Sequence, residues 1–576
     1  MLRSCILAVL IVLAGSIRVQ ESNKDWYKNS LVYQVYPRSF KDSDGDGVGD
    51  LPGITSKLEH IADIGADALW MSPIFSSPQD DFGYDISNFT EIHEEYGTLD
   101  DFDDLVAKAK SLGLKVILDF VPNHSSDEHQ WFLDSIEKIP PYDEYYVWRD
   151  KRKDENGERI PPNNWLSAFG GSAWKWNEKR GQYYLHQFAD GQPDLNYHND
   201  KLREEMKDVL TFWMDRGVEG FRIDAINHMY EDPELRDEPI SNPELDPNDY
   251  DYLDHIYTKN RPETYDVLKT WRELMDSHSE TADTKMILTE AYADLDLTIK
   301  YYQSGSTVPF NFVFIADLND KSSASDFKRY IDRWMNNIPE GEYVANWVVG
   351  NHDNHRAATR FGEKRADQLN MLAIVLPGVS VIYNGDEIGM LDRRFTYEET
   401  KDPAGRNAGP DRYCYKSRDP ERTPFQWDDT TSAGFSTNET TWLPVNDNYK
   451  DLNLAKQQKE FLSHYNVFKH MGQLKKKPVI EQGSLETALY CYKCSFTENV
   501  LGVVRRQGSS VVAVLVNFDD TNIPVVNVRT WLNISEQLKV YTSSVESVPP
   551  GTEINNDAVY LPGAASIVVA TLDIFE

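Results

Sequence analysis

Short apolar runs alternate with longer amphipathic stretches along most of this chain. The runs at 31–37, 68–73, 115–121, 220–225, 286–291, 310–315, 346–352 and 379–384 are too short for ordinary helices and read as buried strands. Between several of them, stretches such as 100–112 and 201–216 repeat apolar residues at helical spacing. Eight strands alternating with helices predict an α/β fold, the (β/α)8 TIM barrel. The alternation alone leaves an open doubly wound sheet as the alternative.

The alternation breaks in three places. Residues 123–195, rich in Trp, Tyr, Gly and Pro, are too long for a plain loop after the third strand and are expected to form an inserted subdomain. A polar stretch at 231–263 follows the fourth strand, and both segments would stand at the C-terminal mouth of a barrel, where active sites are built. Beyond a helical stretch ending near Lys477 the period changes to two, as at 510–518 and 565–572, which predicts a C-terminal antiparallel β domain. The expected division is therefore a signal peptide at 1–16, a barrel at 24–122 and 196–477, the inserted subdomain at 123–195 and the β domain at 478–576.

Composition narrows the function. A chain of 576 residues, 40% hydrophobic, can bury a large core, and a net charge of −35 would repel nucleic acid and anionic membranes while leaving a neutral ligand unaffected. Arg3 followed by an apolar run to Ala14 and then Gly15-Ser16 reads as a signal peptide; the run is too short for a comfortable transmembrane helix, and the sequence holds no other long apolar segment. The mature protein is expected to be secreted and extracellular. Of the four cysteines, Cys5 would leave with the signal; Cys414, Cys491 and Cys494 remain, an odd number that leaves a free thiol or an intermolecular bond, with a small local disulfide open to the 491/494 pair. Asn88, Asn438 and Asn533 head glycosylation sequons. A fourth sequon, at Asn123, falls in a strand-end segment where a glycan would not fit.

Four strand ends carry unusual polarity. Leu118-Asp119-Phe120-Val121-Pro122-Asn123-His124, Gly220-Phe221-Arg222-Ile223-Asp224-Ala225, Ile287-Leu288-Thr289-Glu290-Ala291 and Gly350-Asn351-His352-Asp353 set acids or imidazoles where an apolar strand stops. Arg222 and Asp224, two apart on one strand, share a face, so the guanidinium is expected to hold the carboxylate ionised. Glu290, between apolar neighbours on another strand, is expected to be buried with a raised pKa, which suits a proton donor.

With these four segments in this order, and with Gln192-Pro193-Asp194-Leu195-Asn196 as a further marker, the chain resembles the α-amylase superfamily of glycoside hydrolases, in the branch of oligo-1,6-glucosidases and insect maltases, from about Trp26 to its end. The resemblance implies a retaining exo-acting α-glucosidase that takes terminal glucose from maltose, sucrose and short neutral oligosaccharides. It implies Asp224 as nucleophile, Glu290 as general acid/base and Asp353 as the third carboxylate. It further implies His124 and His352 as hydrogen-bond donors to the sugar, Asp81 as a hydroxyl acceptor, Tyr84 as a stacking platform, Phe169, Phe188 and Gln192 in the pocket wall, and Arg422 as the partner of Asp81 that closes the pocket.

The loop Asp42-Ser43-Asp44-Gly45-Asp46-Gly47-Val48-Gly49-Asp50 is a separate signal. Carboxylates of Asp42, Asp44, Asp46 and Asp50, with the Val48 carbonyl, can surround one hard cation, and the loop resembles the structural calcium loop of the same branch. An Asp/Gly-rich turn without metal is the plain alternative. Linkage preference is expected to rest on Ala225, since the resemblance implies valine after the nucleophile in α-1,6-preferring enzymes and a smaller or differently shaped residue in α-1,4-preferring ones. Two other functions share this scaffold: a transglycosylase or isomerase of the same branch, and a non-enzymatic binding scaffold, which would tolerate loss of the three carboxylates that this chain keeps.

Overall fold

The computed structural model describes residues 24–278, 283–490 and 499–576. The expected signal peptide and Cys491 and Cys494 lie outside them; Cys414 is exposed and free.

Eight parallel strands form one sheet: β1 (Leu31–Val35), β2 (Ala68–Met71), β3 (Lys115–Phe120), β4 (Gly220–Ile223), β5 (Met286–Thr289), β6 (Val308–Pro309), β7 (Asn346–Val348) and β8 (Val379–Tyr383). Each pairs with its neighbours in sequence except β6 with β7, and β8 returns to pair with β1, with Leu31 opposite Ser380. The ladder lacks one junction, between β6 and β7, where Pro309 cannot donate. Asparagine side chains take over there. The Asn346 Oδ1 accepts from the Asn311 backbone at 2.7 Å and its Nδ2 donates to the Pro309 carbonyl at 2.6 Å, while the Asn311 Nδ2 reaches the Asn346 carbonyl at 3.1 Å. The sheet is thereby closed into a barrel, not left open.

The expectation of a strand at 310–315 is corrected. The strand is the two-residue β6 just before it, and Val313–Asp317 is a turn of π-helix whose Phe314 packs on Phe327 and Trp347. A short apolar run satisfies strand and buried helix alike.

Inside the barrel, Val32, Ala68, Ile117, Met286, Leu288, Val348, Val379 and Val381 form a dry layer. The alternate residues, such as Leu118, Phe221, Ile223 and Ile287, face outward into the larger core under the helices. Those helices are marked in sequence: Leu99–Ser111 opens with a capping box of Thr98 and Asp101, and Asp200–Asp215 is capped by the Asn199 side chain. Between β3 and Asp200–Asp215 the chain builds a small antiparallel sheet of Trp148–Arg149, Gln182–Leu185 and Trp174–Asn177. At the C-terminal end β9 (Ser484–Tyr490), β10 (Val500–Gln507), β11 (Ser510–Asn517), β12 (Leu538–Ser543) and β13 (Ser566–Thr571) form an antiparallel sheet in the order β9-β10-β11-β13-β12. Among the described residues no helix is long and apolar enough to cross a membrane.

Candidate active site

The period of two that buries β4 also lifts charge into the barrel mouth. Gly220, Arg222 and Asp224 follow one another on the inner face, and Gly220 is required there because a β-carbon would lie 2.6 Å from the Met286 carbonyl oxygen. Above the dry layer, the Arg222 guanidinium lies over Trp70, bonds Asp119 at 2.9 Å and contacts the Asp224 carboxylate. Its other nitrogen is 3.7 Å from Glu290. Glu290 in turn accepts the Ala225 backbone N–H at 2.7 Å, with Ala225 in a left-handed conformation, φ 42°. The nucleophile candidate is therefore held from below by an arginine and from behind by a turn pinned to its partner acid.

A cavity of about 330 Å3 opens at this point, and Asp224, Glu290 and Asp353 all line it. So do Asp81, Tyr84, His124, Phe169, Phe188, His352 and Ala225. Tyr84 stacks on His352 with ring centres 5.3 Å apart, and its hydroxyl donates to Asp119 at 3.1 Å. Gln34 Nε2 donates to His352 Nδ1 at 2.8 Å, which leaves the ring hydrogen on Nε2, 3.4 Å from Asp353. His124 Nε2 faces the Tyr84 carbonyl at 3.1 Å. Gln192 stands behind the wall, its amide on Asp81 at 3.1 Å and 3.3 Å from His124.

One assignment changes. Arg418, not Arg422, pairs with Asp81, at 2.6 Å, and it also binds Asp402 at 2.6 Å and Asp353 at 3.3 Å. Arg422 lies deeper, fully buried, holding Asp353 at 2.8 Å and the His352 carbonyl at 2.7 Å. Arg418 and Arg422 flank the short helical turn Asp419–Glu421, and only the three-dimensional arrangement shows which of them reaches Asp81. Sequence reasoning also missed Asn227, His228, Tyr250, Lys259, Tyr292 and Asn354, which line the cavity. Several come from the polar stretch after β4, where no periodicity marks a site residue.

The electrostatics sort the acids. Burial raises Glu290, and the Arg222 charge only partly offsets it. Burial also raises Asp224, with Arg222 opposing and Glu290, Asp119 and Asp353 adding to the rise. The arginine alone thus does not set the charge of Asp224 as expected. Both acids share the Arg222 guanidinium, which touches Asp224 and stands 3.7 Å from Glu290, so its charge favours the ionised form of Asp224 more than that of Glu290. Burial would also raise Asp353, but His352, Arg422 and Arg418 hold it below the usual carboxylate range. Burial pushes His124 down to about 4 and lowers His352 further, so both rings are neutral.

In the loop after β1, Asp42, Asp44 and Asp50 bring carboxylate oxygens within 4.8 Å of one another. Asp46 stands apart from that group; its carboxylate accepts the Val48 N–H at 2.7 Å. Asp42 accepts from Gly45 and Gly47, and Asp50 from Ser43 and Gly53, so the backbone wraps the acids in a fixed shape. An oxygen-only donor set of this kind fits a hard cation. Asn88 and Asn533 are exposed and Asn438 half-buried, whereas Asn123 is 1% exposed, enclosed as its place in the site requires.

Comparison with known proteins agrees with this architecture. Residues 34–483 match the family model for the α-amylase catalytic domain, and the chain belongs to that family of glycoside hydrolases. It is 48% identical to Maltase 1 of Drosophila virilis over 536 residues, covering 91% of this chain and 83% of that one. It is 45% identical to the salivary alpha-glucosidase of Anopheles gambiae over 590 residues, covering 98% of each. Among solved structures, the alpha-glucosyl transfer enzyme XgtA matches with a TM-score of 0.81 at 34% identity, covering 95% of this chain and 99% of that one.

Proposed function

We propose that this protein is a retaining, exo-acting α-glucosidase that releases terminal glucose from maltose, sucrose and short α-1,4-linked oligosaccharides. The observation that carries the reading is the convergence of Asp224, Glu290 and Asp353 on one cavity, with the Asp81–Arg418 ion pair at its edge. Glu290 donates its proton to the glycosidic oxygen as the Asp224 carboxylate attacks the anomeric carbon; the bond to the leaving sugar breaks and a glucosyl ester forms. Water, deprotonated by Glu290, then attacks the same carbon and frees Asp224. Asp353, kept ionised by its two arginines, accepts hydroxyls of the distorted ring. Neutral His352 and Tyr84 offer a hydrogen-bond donor and a flat face to the same sugar.

Retention follows from two displacements. Purified enzyme acting on maltose should release glucose first as the α-anomer, followed by proton NMR before mutarotation; the β-anomer first would refute the mechanism. Resolving the products from sucrose separates hydrolysis from glucosyl transfer: free glucose as the main early product supports the reading, and oligosaccharides or a sucrose isomer in its place would assign the chain to a transferase or isomerase.

Calcium in a structural role belongs to the same reading, held by the expected set of Asp42, Asp44, Asp46, Asp50 and the Val48 carbonyl, of which Asp42, Asp44 and Asp50 already group their oxygens. The ion would bind the native state alone, so chelation should lower the melting temperature and added calcium restore it; an unchanged melting temperature together with no calcium by metal analysis would remove it. Secretion and glycosylation at Asn88, Asn438 and Asn533 complete the proposal, with the salivary name of one relative and the exposure of Asn88 and Asn533 in support. Recovery of the protein from culture medium, with a loss of mass on deglycosylation, tests both.

A further inference from the structure

On the loops that carry Asp353 and Arg422, three side chains of mixed donor type meet away from the sugar cavity. His355 comes two residues after Asp353, Glu421 directly precedes Arg422, and Asp392 lies in the segment after β8. His355 Nδ1 is 2.8 Å from Asp392 Oδ2 and 3.4 Å from Glu421 Oε2. One ligand atom from each of the three falls within 4.8 Å of the others. The Glu421 oxygen is the informative atom. Its residue is 2% exposed, and Oε2 has no partner within ordinary hydrogen-bond geometry, only the imidazole at a long 3.4 Å. A buried carboxylate oxygen left in that state is costly unless a further partner serves it. Asp392 is already aimed, because its other oxygen accepts the Arg356 backbone N–H at 2.8 Å.

We propose that His355, Asp392 and Glu421 form a binding site for a divalent transition-metal ion of the zinc type, separate from the loop at Asp42, Asp44 and Asp50. The donors decide the class of ion: one imidazole nitrogen with two carboxylate oxygens suits zinc, whereas the loop after β1 offers only oxygens and suits calcium. The spacing also fits. Zinc bonds of about 2.0–2.1 Å at tetrahedral angles hold ligand atoms roughly 3.3–3.4 Å apart, the separation already present between His355 and Glu421. The 2.8 Å contact to Asp392 must open by about 0.5 Å, which rotation of the imidazole can supply, since the His355 side chain is 49% exposed. That exposure also gives an ion its entry and leaves room for water as the fourth ligand. A proton on His355 Nδ1 lies closer to Asp392 than to Glu421 Oε2, which it reaches only at 3.4 Å; an ion would draw both oxygens to bonding distance.

The test uses the full chain, freed of metal by chelation and returned to calcium-containing buffer. Equilibrium dialysis against Zn2+ at about 100 μM, roughly a hundredfold above a micromolar Kd, is followed by metal analysis. One zinc per chain is expected, lost in His355→Ala and in Glu421→Gln and retained in Asp44→Asn. Glu421 is buried and its variant could misfold, so His355→Ala, at a half-exposed position, decides the matter if its melting temperature in metal-free buffer matches the parent. Zinc bound equally by His355→Ala, or no zinc bound by the parent, would overturn the site.

Discussion

Arg418 and Arg422 stand four residues apart, yet one spans Asp81, Asp402 and Asp353 at the cavity wall while the other is sealed beneath Asp353. Arg418 fixes Asp81, Asp402 and Asp353 relative to one another. Arg418→Ala leaves Asp81 and Asp402 without their shared partner, and truncating one member of a buried charge pair costs about 2–5 kcal/mol. A fall of at least about 30-fold in kcat/KM on maltose is expected, read by steady-state kinetics. Ala225 makes a second case. The methyl beside Asp224 leaves room for an α-1,4-linked neighbour, so maltose should be a better substrate than isomaltose. Ala225→Val should shift the kcat/KM ratio toward isomaltose, within the roughly 10–200-fold that a methyl-sized change can give. A β-branched residue at φ 42° also strains the turn, but a ratio of two substrates on one protein cancels any loss of folded enzyme. His124, Asp224, Ala225, Glu290, His352 and Asp353 were legible because their motifs sit at strand ends in a fixed order. Arg418 was not, because the choice between it and Arg422 depends on which one a short helical turn aims at Asp81.

At the scale of elements, the weakest part of the barrel is the junction of β6 and β7. Asn346 replaces a missing ladder with two side-chain hydrogen bonds, to the Asn311 N–H and the Pro309 carbonyl. Asn346→Ala would leave both of those buried groups unpaired, at about 1–3 kcal/mol each. A loss of roughly 2–5 kcal/mol in denaturant unfolding is expected, and a change below about 1 kcal/mol would mean that the seam does not depend on this residue. The other strands were readable from sequence because each is an apolar run of ordinary strand length bounded by polar residues. The sixth was not. Only Val308–Pro309 pairs as strand, and the longer apolar run that follows it is spent on a π-helical turn packed against Trp347.

For the whole molecule, a charge of −35 and several buried acids set the response to pH. Burial pushes Asp194 up to about 7, and burial together with Asp80 and Glu128 pushes Asp127 up to about 6. Unfolded aspartates titrate near 3.9, so between roughly pH 4 and 7 these two bind more protons in the folded chain than in the unfolded one. These two acids therefore contribute stability as pH falls from 7.5 to 5.5, as does relief of charge repulsion, whereas His124 and His352, held neutral by burial, oppose it below about pH 6.5. The change in melting temperature from pH 7.5 to pH 5.5, by calorimetry in matched ionic strength, should be less favourable in Asp194→Asn than in the parent; an identical change would contradict the Asp194 contribution. The domain order and the acidic surface were open to sequence reasoning, being matters of pattern and counting, whereas these shifts depend on which acids the fold encloses together.

The proposed role of Asp224 as the nucleophile of a double displacement is tested by the maltose turnover of Asp224→Asn. The amide keeps the shape of the side chain and its place beside Arg222 but removes the charge that attacks the anomeric carbon. The account predicts a variant that melts within a few degrees of the parent, still binds maltose, and turns it over at least about 10⁴-fold more slowly, a loss of roughly 5.4 kcal/mol of transition-state stabilisation. Turnover within tenfold of the parent would contradict it.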